Sequence, residues 1–155
     1  MSDRDGSSST LFVVLAVGVL AVTGYLAWRV YQTPRHPDEA GEVATKMTDV
    51  TVVAGGGDAS ACQQLRNFTS EDALDEALAR CTVVAGRAAA ANGGGWLGIR
   101  DLRVTDTDLD RSSGSVTVSG TLITPGPPLP TTFHWPVTFV DGHWYIDGGA
   151  DVDVG

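Results

Sequence analysis

Two cysteines, Cys62 and Cys81, are the residues whose type and spacing most directly imply chemistry in this sequence. They are the only cysteines in the 155 residues. A pair with no third thiol and no metal-ligand spacing favours a disulfide formed in an oxidising compartment. Two separate buried thiols are the alternative. A bond between them would join a short helix to a longer one and stabilise the fold by roughly 3 kcal/mol.

Two histidines near the C-terminus suggest acid–base chemistry. His134 and His143 have Asp141 and Asp147 close in sequence, but acid–base catalysis needs a histidine within reach of substrate in a sheltered pocket. The hairpin predicted at Asp141 turns both histidines away from the core, so we expect no catalytic residue. Together with Tyr145, they form instead the predicted contact surface for a partner. No serine lies in a nucleophile elbow and neither cysteine has an adjacent base, so we expect no enzyme.

Three alternating aspartates, Asp106, Asp108 and Asp110, invite a calcium interpretation. An EF-hand loop requires glycine at its sixth position and glutamate at its twelfth. Arg111 and Thr117 occupy those positions here. We therefore expect a solvated acidic strand end, with no metal and no cofactor.

The elements that would position these residues begin with an apolar run, Leu11–Trp28, which contains no charge and no proline. As a helix rising about 1.5 Å per residue it spans roughly 27 Å, close to the hydrocarbon thickness of a bilayer. We predict a transmembrane signal anchor over residues 11–31, after a tail at residues 1–10 and before a linker at residues 32–37. A buried core helix and a cleaved signal peptide are the alternatives, although no good cleavage motif follows the run.

The side of the membrane depends on two opposing signals. Arg4 precedes the apolar run while Arg29 and Arg35 follow it, which by the positive-inside rule favours a cytoplasmic C-terminal domain. The cysteine pair favours the opposite side, because disulfides persist outside the reducing cytosol. We predict a single-pass plasma-membrane protein whose C-terminal domain is extracytoplasmic.

Helical patterns occupy the first half of that domain. The first helix begins at Asp38, just after a proline, and ends at Gly55-Gly56-Gly57. A short helix is predicted over Ala59–Arg66 and a longer one over Glu71–Ala91, the latter after a Thr69-to-Asp72 capping box. The first helix carries an apolar stripe at three- and four-residue steps: Val43, Met47, Val50 and Ala54.

Alternating polar and apolar residues predict strands in the second half. The Asp141-Gly142 dipeptide is a strong hairpin signal and fixes the register of the strands on either side. That register places five side chains on one face, which we expect to be the core face: Trp135, Val137, Phe139, Trp144 and Ile146. The sequence therefore predicts an α+β domain over residues 38–149, with three helices on a curved antiparallel sheet of about four strands. Residues 150–155 are predicted to be a frayed tail.

Charge limits the partners. The whole chain has a net charge of −9, and residues 38–155 hold seventeen acidic and seven basic residues. Such an acidic surface repels phosphates, so we expect no nucleic acid among its partners. The predicted partners are the membrane, through one helix, and other envelope or membrane proteins. A small apolar ligand is the alternative partner.

The pattern resembles a known fold family. The residues that carry the resemblance are Gly57-Asp58, Cys62, Cys81, Trp135 and the segment Asp141–Asp147. In this order of helices and strands the chain is similar to the cone-shaped nuclear transport factor 2-like fold, also called SnoaL-like or cystatin-like. It is similar in particular to small single-pass envelope proteins of high-GC Gram-positive bacteria, including Mce-associated membrane proteins. The family hosts enzymes, binding pockets and interaction modules, so the resemblance predicts fold more than function.

Three hypotheses about function follow. The favoured one is a non-enzymatic, membrane-anchored accessory protein whose domain makes protein–protein contacts in a larger cell-envelope assembly. The second is a small-molecule or lipid-binding domain, with a cavity mouth predicted at residues 65–68 and 96–99. The third is a SnoaL-like hydrolase or isomerase, which would need Arg100 or Asp101 at that mouth.

Overall fold

The computed structural model describes residues 21–28, 36–91 and 95–155. The chain divides into two units, Met1–Thr33 and Pro34–Gly155. In the first unit, residues 21–28 are helical, and the rest of the predicted anchor lies outside the described residues, as do the tail at residues 1–10 and most of the linker. Among the residues that are described, no helix is both long enough and apolar enough to cross a membrane.

Helix α1, Pro37–Gly55, runs across the core face of the sheet. Pro37 occupies its first turn, and Asp38 and Glu39 place negative charge at the positive end of the helix dipole. The stripe predicted from the sequence is largely confirmed: Met47, Val50 and Ala54 are buried, and Val43 is partly buried. Small residues also pack inward, because the helix lies close against the sheet: Ala40, Gly41 and Ala44.

A 3-10 helix, Ala59–Asn67, follows the glycine turn. The Asp58 carboxylate caps it, since Oδ1 accepts hydrogen bonds from the Ser60 hydroxyl at 2.6 Å and the Ser60 amide at 2.9 Å. These bonds stabilise the charged form and lower the pKa of Asp58 below its usual value. The short helix presents Ala61, Cys62 and Leu65 to the core.

Helix α2, Glu71–Ala90, has Ser70 at its N-cap position, and the predicted capping box is wrong. No side chain caps the helix, and the Thr69 and Ser70 hydroxyls are buried without a hydrogen-bond partner. The physical reason is that the backbone of this segment pairs with strand residue Ile146. Thr69 forms a parallel bridge with Ile146, and the Ser70 amide donates to the Ile146 carbonyl at 3.3 Å.

Five strands form one curved antiparallel sheet. Counted along the chain, they are β1 Gly98–Leu109, β2 Ser113–Ile123, β3 Leu129–Val140, β4 His143–Ile146 and β5 Asp151–Val154. The order is β1-β2-β3, with β4 and β5 sharing the far side of β3. The domain is therefore α+β, as predicted, with one strand more than expected.

Strand β5 corrects the expectation of a frayed C-terminal tail. Its residues pair with β3, from His134 opposite Asp151 to Thr131 opposite Val154. Strands β4 and β5 would be one continuous strand except for the break opposite Pro136, which has no N–H to offer a neighbour. The Asp147 amide still donates to the Pro136 carbonyl at 3.0 Å.

The β3–β4 hairpin confirms the predicted register. Asp141 and Gly142 adopt positive φ angles of 50° and 92°, as a two-residue hairpin turn requires. The four predicted pairs are all present: Val137 with Ile146, Thr138 with Tyr145, Phe139 with Trp144 and Val140 with His143. The predicted core face is buried accordingly, with Phe139 partly covered.

A buried hydrogen bond links the sheet to α1. The Trp135 indole Nε1 donates to Thr48 Oγ1 at 2.8 Å, and Thr48 Oγ1 donates to the Ala44 carbonyl at 2.8 Å. Both side chains are almost fully enclosed. The hydroxyl therefore satisfies an indole N–H that would otherwise be buried without a partner.

We expect Thr48→Val to lower the free energy of unfolding by about 1–3 kcal/mol, because it keeps the shape of the side chain and leaves the indole N–H unsatisfied. Urea denaturation followed by circular dichroism measures the change. Thr45→Val is the matched control, since the Thr45 hydroxyl also bonds a carbonyl four residues back, at 2.8 Å, but has no tryptophan partner. Equal effects in the two variants would contradict a special role for the Trp135 bond.

Candidate functional site

The cysteine pair forms the disulfide that the sequence favoured. Cys62 of the 3-10 helix and Cys81 of α2 are bonded, with their Cα atoms 5.8 Å apart. Ala85 is the one fully buried residue of α2, while Leu74, Ala77 and Leu78 are partly buried against the core. The disulfide adds a covalent attachment of α2 to the rest of the domain.

A cavity of about 180 Å³ lies between α2 and the sheet. Met47 of α1, Leu65 of the 3-10 helix and Trp135 of β3 contribute apolar walls. Helix α2 lines it with small and apolar side chains, among them Ala77 and Val84. The lining is predominantly apolar, which is typical of sites that bind small molecules.

The cavity rim contains the only ionisable groups of the lining. Glu76 and Arg80 stand one turn apart on α2 and form an ion pair. Opposite them the chain passes through Gly148 and Gly149, and a Cβ atom built at Gly149 would lie 3.3 Å from Arg80 Nη1. The glycines thus let the backbone approach the guanidinium closely.

Of the residues predicted for the mouth, Leu65 lines the cavity, but residues 66–68 and 96–99 do not. The Trp96 ring packs instead on Gly55 at the end of α1, where a Cβ atom would overlap it. Arg100 and Asp101 are also outside the cavity, 3.8 Å apart and exposed on β1. The reason is topological: β1 is the outermost strand on the β2 side of β3, whereas the cavity adjoins β3 and β5.

The second candidate site is the other face of the sheet, which we call the polar face. His134, Thr138 and Tyr145 share it, since Thr138 pairs with Tyr145 and lies four residues from His134 along β3. The His134 ring lies 3.1 Å from the Thr117 hydroxyl through Nδ1 and 3.4 Å from the Asp153 carboxylate through Nε2. His134 thus connects β2, β3 and β5 on this face.

His143 is exposed and has a contact that the sequence did not predict. Its Nδ1 lies 2.8 Å from Glu39 Oε1, in the first turn of α1, because its short edge strand lies beside the start of that helix. Of the three predicted contact residues, the structure places His134 and Tyr145 together on the polar face and directs His143 towards a helix.

The polar face also contains a row of hydroxyls whose contacts were not predicted from the sequence. Thr105 and Ser119 are 3.2 Å apart, and Ser119 and Thr132 are 3.2 Å apart, so the row crosses three strands. The signal was present in the alternation of threonine and serine with apolar residues in β2 and β3. Such paired hydroxyls satisfy one another across strands.

The described residues include no group of three histidine, cysteine, aspartate or glutamate side chains arranged to hold a metal ion. Asp106 and Asp108 lie along β1, opposite Thr117 and Ser115 of β2. None of the three described histidines, His36, His134 and His143, lines the cavity. The arrangement offers an apolar cavity and a polar surface, and both are means of binding.

Comparisons with known proteins include a distant structural likeness. No protein-family model matches the chain, and no curated protein matches it. Among solved structures, the intermembrane space region of the chloroplast protein ARC6 is similar, with a TM-score of 0.49 and 15% sequence identity, over 79% of this chain and 98% of that one. This likeness assigns neither family nor function.

Proposed function

We propose that this chain is a non-enzymatic accessory protein of the cell envelope, anchored by Leu11–Trp28, whose domain contacts another protein outside the cytosol. The observation that carries the proposal is the polar face. The helices of the described domain lie on the opposite side of the sheet, where Thr48 of α1 meets Trp135. A face with His134, Tyr145 and a row of hydroxyls is suited to a polar protein partner.

Two further features support this proposal. The Cys62–Cys81 disulfide fits an oxidising compartment. The excess of acidic over basic residues after residue 37 favours a neutral or basic partner surface over an anionic one. The predicted relationship to nuclear transport factor 2-like envelope proteins, including Mce-associated membrane proteins, remains part of the proposal.

Site-specific photo-crosslinking in intact cells tests the polar face. A benzophenone amino acid in place of Tyr145 or Thr132 should yield an adduct of the same mass at both positions, because both residues lie on the polar face. The matched control position is Val83, which is exposed on α2. Mass spectrometry of the adduct identifies the partner. Adducts from Val83 alone, or none from either sheet position, would contradict the proposal.

The cavity supports a second candidate function, the binding of a small apolar molecule. Its walls include Met47, Leu65 and Trp135, so a hydrocarbon group would replace solvent-exposed apolar surface with protein contacts. An isomerase or hydrolase has less support, since the ionisable groups of the lining, Glu76 and Arg80, are engaged with each other.

A further inference from the structure

We propose that the cavity beneath α2 binds a medium-chain fatty carboxylate, with the hydrocarbon chain between α2 and the sheet and the carboxylate at Arg80. This inference rests on the second candidate function and adds the chemical class of the ligand. It is carried by three properties of the site: its volume, the charge at its rim and the apolar side chains at its opening.

The volume sets the length of the hydrocarbon chain. An apolar protein cavity of about 150 Å³ is large enough to bind benzene. The cavity here is somewhat larger, about 180 Å³. It therefore accommodates a flexible chain of roughly six to eight carbons, judged by the same comparison.

The rim selects the head group. Arg80 is the one cationic side chain of the lining, and its ion pair with Glu76 on the preceding turn holds the guanidinium at the opening. A guanidinium has five donors and Glu76 does not occupy them all, so Arg80 can also bind a ligand carboxylate. The backbone at Gly149 also comes close to the guanidinium, since a Cβ atom built there would lie 3.3 Å from Arg80 Nη1.

The opening is apolar. Val84 of α2 is 45% exposed and Val152 of β5 is 41% exposed, and both line the cavity. Exposed valines at a cavity entrance form a surface along which a hydrocarbon chain can pass. Glu76 balances the charge of Arg80, so the selection depends on the guanidinium donors that Glu76 leaves unoccupied. Beside an apolar opening, these donors fit an amphiphile with an anionic end better than a neutral or a cationic one, because a charged acceptor forms the stronger hydrogen bond.

The test uses methyl NMR on the full chain in nanodiscs at about 0.15 M salt, which limits repulsion from distant acidic groups. The chain has two methionines, Met1 and Met47, and Met47 lines the cavity. With methyl-labelled methionine, sodium octanoate should shift the Met47 signal saturably. The probes 1-octanol and octylammonium are titrated at matched free concentrations, determined against empty nanodiscs.

Four variants separate the parts of the proposal. Arg80→Met should weaken octanoate binding by about tenfold or more and leave octanol binding unchanged. Its matched control is Arg87→Met, on the same helix but outside the cavity. Ala77→Phe should fill the cavity and abolish the binding of every probe, whereas Val83→Phe, on the exposed side of α2, should not.

The outcomes distinguish the two levels of the inference. Octanol or octylammonium binding as tightly as octanoate, or octanoate binding unaffected by Arg80→Met, would overturn the carboxylate assignment and leave an apolar site. The absence of any Met47 shift with all three probes would overturn both the carboxylate assignment and the second candidate function. The protein-contact proposal is tested separately by the crosslinks.

Discussion

Trp144→Ala should lower the free energy of unfolding by about 3–5 kcal/mol, the largest effect that we expect from a single substitution in this domain. The Trp144 side chain is 1% exposed and packs edge-to-face on Phe139, with ring centroids 5.3 Å apart. Truncation would leave a void in a core that cannot collapse around it, because β4 is held between β3 and the segment at Thr69. Urea denaturation of the full chain measures the loss.

The neighbouring residue provides the control for Trp144→Ala. Tyr145 is also aromatic, but it lies on the polar face and is only half-buried. We expect Tyr145→Ala to cost less than about 1 kcal/mol, as a substitution away from the core does. Equal losses in the two variants would contradict the assignment of opposite faces on which both the core and the proposed contact surface depend.

Removing the disulfide should have the second largest effect. The double substitution Cys62→Ala and Cys81→Ala opens a loop with a sequence separation of 19 residues, for which the chain-entropy model gives about 3 kcal/mol. The loss of stability should be largest in helix α2, because Ala85 is its single fully buried residue. Hydrogen exchange should therefore show faster exchange in α2 than in β3 after the substitution.

Reduction supplies a control for the cysteine variant. Dithiothreitol should destabilise the unmodified chain by a similar amount and leave the double variant unchanged. A thiol label applied to native membranes should react with neither cysteine until reductant is added. Full labelling of both residues without reductant would contradict an oxidising location for the domain and, with it, the extracytoplasmic part of the proposed function.

Local signals in the sequence were sufficient for part of this fold. The Asp141-Gly142 turn determines which residues face each other across the hairpin, so the core face follows from simple alternation. The disulfide could be predicted because the chain contains no competing thiol. Strand β5 was missed because a four-residue strand carries a weak pattern, although Val152 and Val154 do alternate with aspartates.

The remaining features depend on contacts between distant parts of the chain. His143 contacts Glu39, which lies 104 residues away in the sequence, and no local sequence pattern predicts such a pair. The cavity likewise depends on distant parts of the chain, since Met47 of α1, Trp135 of β3 and residues of α2 all line it. The spacing between layers depends on the whole set of packed side chains, so the lining of the cavity could not be assigned from periodicity.

The pairing of β5 has a practical consequence for labelling this protein. The Gly155 amide donates to the Pro130 carbonyl at 3.0 Å, so the last residue is tied to the sheet. A fluorescent reporter fused there would pull on the strand that carries Val152 at the cavity entrance. A long flexible spacer, or placement of the reporter at the opposite end of the polypeptide, would avoid that mechanical load.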